Sequence, residues 1–99
     1  MPVDRLAERV EPADPAATPE KLLDEERARA LLYQLLSELE ERLRVVFVMF
    51  ELEGMSMPEI AEMLDIPVGT VASRLRHARE DFHARLHRHR ARTRREVGT

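Results

Sequence analysis

From Leu22 onward, apolar side chains recur at steps of three and four residues, the period of an α-helix that buries one face. Leu22, Leu23, Leu31, Leu32, Leu35, Leu36 and Leu39 form a first such stripe and predict a helix over about 20–36. Thr18 is a suitable N-cap for it, and Pro19 suits a first helical position, where its missing N–H costs nothing. Leu39, Leu43, Val46, Phe47 and Phe50 mark a second stripe running through Phe50. The stretch Ser37-Glu38-Leu39-Glu40 matches a capping box, so a helix restart at Ser37 is expected, although the pattern also permits one continuous helix. Gly54 suits the left-handed residue that closes this segment.

A short third helix is predicted by Ser56-Met57-Pro58-Glu59, with Ser56 as N-cap and Ile60, Ala61 and Leu64 facing inward. A tight turn over 65–69 follows. A fourth helix is expected to start at Pro67 or Val68 and to end near His89. Its inward stripe is Val68, Val71, Leu75, Ala78, Phe82 and Leu86. The expected fold class is all-α: a small four-helix domain with a C-terminal helix-turn-helix of winged-helix-like type and a long recognition helix. Residues 19–89 form that domain. Residues 1–18, with three of the six prolines, read as a flexible acidic linker or tail that could include a short helix over 3–10. Residues 90–99 read as a basic, frayed tail.

Composition narrows the chemistry. The 99 residues include no cysteine, which removes disulfides, thiolate metal sites and a cysteine nucleophile. The longest apolar run, 45–50, is far shorter than the ~20 residues of a membrane span, and no secretory leader pattern is read at the start. A soluble cytoplasmic protein with no membrane partner is expected. The net charge of −3 conceals a division. Residues 1–65 hold 16 acidic and 7 basic side chains, net −9; residues 66–99 hold 3 acidic and 9 basic ones, all arginine, net +6. An arginine-rich fourth helix suggests a nucleic-acid partner. No catalytic site is indicated: the carboxylates fall on wet helix faces, and there is no nucleophile elbow or phosphate-binding glycine loop. No cofactor is expected. His83 and His87 lie one helical turn apart but lack a third ligand, so no metal is expected either.

With the fourth helix projected at about 100° per residue, Gly69, Ser73 and His77 lie opposite the apolar stripe. Thr70 and Arg76 lie beside them, Ala72 and Arg74 on the flanks, and Arg79 nearer the core side. Small, polar and basic groups near a helix N-terminus suit entry into a major groove. The candidate DNA-binding residues are Ser56, Thr70, Ser73, Arg74, Arg76, His77 and Arg79. Arg76 and His77 best suit base edges. Ser56, Arg74 and Arg79 better suit phosphates or the domain's own packing, and Arg79 is also within reach of acidic residues on the second helix. Met49, Met55, Met57 and Met63 gather around the third helix, as core filler or as a partner-docking patch.

The run 47–64 followed by Pro67-Val68-Gly69-Thr70-Val71-Ala72-Ser73-Arg74-Leu75-Arg76-His77-Ala78-Arg79 closely resembles region 4 of extracytoplasmic-function (ECF) type bacterial RNA polymerase sigma factors. The resemblance covers about 19–86. It implies binding of double-stranded promoter DNA at the −35 element with the fourth helix in the major groove, in transcription initiation. It also implies docking of the earlier helices on the β flap of the RNA polymerase core and, in many members, an anti-sigma factor that covers the same surfaces. The chain departs from the family at Ala72, where Lys or Arg is usual, at Arg76-His77, where His-Arg is frequent, and at Glu40, where proline is usual. No stretch resembles region 2, so initiation by this chain alone is not expected. A protein-interaction module that docks on polymerase or an anti-sigma factor is a rival reading. A free-standing helix-turn-helix regulator, dimeric through Leu31, Leu32 and Leu35, is another; a monomer is expected.

Overall fold

The computed structural model describes residues 18–98. The expected Pro-rich linker and the short helix over 3–10 lie outside the described residues. Four α-helices and one π-helical turn make up the described chain, with no strand among the described residues. They are α1 (Pro19–Glu38), α2 (Glu41–Phe47) continued by the π turn Val48–Leu52, α3 (Met57–Leu64) and α4 (Val68–Gly98). The chain divides into two compact units, one reaching Leu32 and the other beginning at Tyr33.

In the first unit, Thr18 caps α1 as its sequence position implies. The Lys21 amide donates to Thr18 Oγ1 at 3.1 Å, and the Leu22 amide to the Thr18 carbonyl at 3.0 Å. Leu22 and Leu23 are exposed, so the leucine stripe there has no internal use.

In the second unit, the end of α1 buries Leu35, Leu36 and, just past the helix, Leu39. The helix breaks as expected, but its restart is capped at Glu40, three residues later than Ser37. The Ser37 hydroxyl donates back to the Gln34 carbonyl at 2.6 Å, so no capping box forms. Glu40 adopts the extended N-cap conformation of α2 (φ −58°, ψ 142°), and its carboxylate takes Arg42 rather than a backbone amide. Burial of Leu39 (3% exposed) fixes the joint. Arg44 Nη1 donates to the carbonyls of Ser37 (3.4 Å) and Leu39 (3.3 Å), satisfying acceptors that the helix end leaves open.

The second stripe holds as far as Phe47. The π turn follows, in which Met49 is buried and Phe50 packs at the core edge. The turn closes with the Glu53 amide on the Val48 carbonyl and the Met55 amide on the Met49 carbonyl, both 3.0 Å. Gly54 at φ 71° makes that reversal; a side chain there would meet no neighbour, so the backbone angle alone calls for glycine.

Val46, Met49, Ile60 and Val71 form the centre of the core, with Met55, Met57, Ala61, Leu64 and Ile66 packed around it. Three of the four clustered methionines therefore fill the core, and Met63 is exposed. Leu75 and Ala78 continue the buried face of α4, and the Phe82 ring lies 5.0 Å from that of Phe47. Val68, expected in this stripe, is exposed at the first residue of α4. Leu35 is internal to the monomer (2% exposed), which removes it from any dimer stripe.

Between α3 and α4 the chain turns through a Schellman motif. The Ile66 amide bonds the Ala61 carbonyl (3.1 Å) and the Asp65 amide bonds the Glu62 carbonyl (3.3 Å). Asp65 takes the left-handed position (φ 56°), and Gly69 lies inside α4 instead of in the turn. The helix also passes the expected end near His89 and reaches Gly98. Arginine and alanine are good helix formers, and no proline or glycine interrupts 70–97.

Candidate nucleic-acid interface

Ser56 sits at the start of α3 in a complete capping box. Its hydroxyl accepts from the Glu59 amide (3.2 Å), and its own amide donates to Glu59 Oε1 (2.8 Å). The hydrogen bond from the Ser56 backbone, with a smaller one from its side chain, holds the Glu59 carboxyl below its ordinary pKa. This cap fixes where α3 begins, and the Schellman turn fixes where α4 begins. The angle between the two helices follows from those two local motifs.

Two arginine clamps hold α4 against the rest of the second unit. Arg79 donates through Nε (2.9 Å) and Nη2 (2.6 Å) to Glu51 Oε1, and its guanidinium carbon lies 5.2 Å from the Phe50 ring centroid. Both partners belong to the π turn, which aims them at α4. Arg85 donates to Asp81 (3.1 Å) and to Glu38 at the end of α1 (3.3 Å). The Asp81 hydrogen bond raises the Arg85 pKa against partial desolvation, with Glu38 adding to it. Arg79, a DNA candidate by sequence, is thus committed to Glu51 and Phe50. Its projection toward the core side was the signal.

The remaining candidates fall on the outer side of α4. Gly69, Thr70, Ser73, Arg74, His77 and Asp81 line a surface depression of about 660 Å³, completed by Glu40, Arg42 and Leu43 of the α2 entry. Arg76 lies on the other flank, beside Ala72 and facing Met57 of α3, in a second depression of about 420 Å³. Arg74, Arg76 and His77 have no hydrogen-bond or ion-pair partner among the described residues, whereas Arg42 pairs with Glu40 at 2.6 Å. Arg42 was missed from sequence because the acidic run 38–41 masks it; only the fold brings it beside α4. Gly69 leaves open space at the helix start, where a side chain would meet nothing within 4 Å. Residues 83–95 of α4 add His83, His87, His89 and six arginines with no carboxylate among them. No group of three metal-ligating side chains occurs among the described residues, and no described helix is long and apolar enough to cross a membrane.

A capped short helix, a tight turn and a clamped second helix with a polar, basic outer face make this a helix-turn-helix domain. Residues 29–82, more than half of the chain, match the family model "Sigma-70, region 4". The chain belongs to that family, whose members are DNA-binding domains of transcription factors and not enzymes. It is 42% identical over 64 residues to the ECF RNA polymerase sigma-E factors of Escherichia coli (strain K12) and Salmonella typhimurium (strain LT2), covering 65% of this chain and 34% of theirs. The corresponding factor of Haemophilus influenzae is 40% identical over 63 residues, covering 64% of this chain and 33% of that one. The chain thus matches only about a third of the length of these curated relatives.

Proposed function

We propose that this chain binds the −35 element of promoter DNA as region 4 of an ECF-type sigma factor, with α4 in the major groove, during transcription initiation. The observation that carries the reading is the grouping of Gly69, Thr70, Ser73, Arg74 and His77 on the outer side of the first turns of a helix that two ion pairs hold in place. A pre-positioned helix of this kind presents base-reading groups without having to order them on binding. Arg76 and His77 read base edges, Thr70 and Ser73 hydrogen-bond bases or phosphates, and Arg74, with Arg42, contacts phosphates. Ser56 acts by capping α3 at the groove edge. Arg79 orients α4 and leaves DNA contact to the others. The five arginines beyond Arg85 add a sequence-independent electrostatic attraction.

Docking on the RNA polymerase core, at its β flap, falls to the helices before α3. Exposed Leu22 and Leu23 on α1 suit an apolar partner surface, whether polymerase or an anti-sigma factor. The chain acts as a cytoplasmic monomer.

The experiment is fluorescence anisotropy of the full chain with duplexes enriched from a randomised library and with scrambled versions, across a salt series. Preference for the enriched duplex together with a log–log salt slope of several units supports groove reading. A steep slope with no preference would reduce α4 to a generic cation, and no binding at low salt would leave only the protein-docking role.

A further inference from the structure

The depression on the α3 side of α4 differs in character from the rest of the outer face. Ala72, Leu75 and Met57 form its apolar lining, and Arg76, Arg79, Glu80 and His83 complete it. Ala72 and Arg76 are exposed, whereas Met57 and Leu75 are held in the core packing. Alanine is too short to reach a phosphate and has no polar atom to offer a base edge. Its one contribution is a methyl group. Among the groups that base pairs present in the major groove, only the thymine 5-methyl is apolar, and alanine is one of its natural contacts. The apolar wall behind Ala72 extends that surface, so a thymine methyl seated there leaves water on both sides. Arg76 lies one helical turn further on, about 6 Å along the axis. That is about two base steps of 3.4 Å.

We infer that Ala72, backed by Met57, is a specificity-determining residue that reads the 5-methyl group of a thymine within about two base pairs of the base edge taken by Arg76. The inference rests on the DNA-binding reading above. It makes discrimination at this position depend on a single methyl, where a long basic side chain would have made a charge contact.

Thymine-to-deoxyuridine replacement removes that methyl and nothing else. The probe is the duplex enriched by the full chain from a randomised library, with each thymine replaced in turn. Wild type should lose about fourfold in affinity at one thymine, the effect of one buried methyl-sized group. Arg76→Ala should remove base preference within two base pairs of that thymine. In Ala72→Gly the deoxyuridine penalty should fall to less than about twofold. Ala72→Lys keeps helix propensity and fills the notch; it should abolish the penalty. Circular dichroism confirms that each variant folds. An enriched site in which no deoxyuridine replacement weakens binding would overturn the inference and leave the DNA-binding reading intact. A penalty that persists unchanged in both Ala72 variants would do the same. A library that yields no enriched sequence would overturn both.

Discussion

Replacing Arg79 with alanine separates an arginine that holds the reading helix from one that touches DNA. The side chain contributes two donors to Glu51 Oε1 and lies over the Phe50 ring. The pair is partly exposed, at 46% for Arg79 and 35% for Glu51, so its Coulomb contribution is modest, about 0.2–1 kcal/mol. The ring contact adds about 0.5–1 kcal/mol at a site of this exposure. Arg79→Ala should therefore cost about 1–2 kcal/mol. For a domain of this size each kcal/mol lowers the melting midpoint by roughly 4–8 °C. Urea denaturation of wild type, Arg79→Ala, Glu51→Gln and the double variant gives the coupling between the two side chains, expected at about 0.5–1 kcal/mol. The coupling should shrink in high salt, because exposed charges are screened. DNA affinity, measured at a temperature where all variants are folded, should lose little in salt slope. Zero coupling, together with a salt slope reduced by about 0.9, would refute the argument and place Arg79 on a phosphate.

Gly69→Ala should stabilise the fold by about 0.5–1 kcal/mol, since glycine in a helix carries that penalty and the added methyl meets nothing. If DNA approaches closely there, anisotropy should report weaker binding by the more stable protein. Ile60→Ala, at a fully buried position, should cost about 2–5 kcal/mol in urea denaturation. Glu59 has a folded-state pKa below its unfolded one, so its capping contribution is complete above the ordinary carboxylate range and is lost as pH falls through the lowered folded value. Thermal melts between about pH 6 and pH 3 should show this loss in wild type and a shallower one in Glu59→Gln. Replacing Arg88, Arg90, Arg92 and Arg94 together with glutamine should flatten the salt slope by up to about 3.6 units and leave sequence preference unchanged.

The features legible in the sequence are those set by short-range chemistry. Thr18-Pro19 and the Ser56–Glu59 box predicted caps that the structure contains, because a cap needs only its own few residues. The inward faces of α3 and α4 followed from period alone, apart from Val68 at the helix end. What was not legible depends on partners distant in sequence. Ser37 had the residues of a capping box, yet with Leu39 buried the next helix is capped three positions later, at Glu40. The π turn has no compositional mark, and Phe50, expected in the buried stripe, lies at the core edge. Of the seven candidate site residues, Thr70, Ser73, Arg74 and His77 came together on one depression, and Arg76 on another. Arg79 is paired with Glu51, a partner 28 residues earlier that only the fold brings to it. Both Glu51 and Phe50 lie in the π turn, so that turn supplies the contacts that hold Arg79 of α4, and the Arg79–Glu51 coupling measures how firmly.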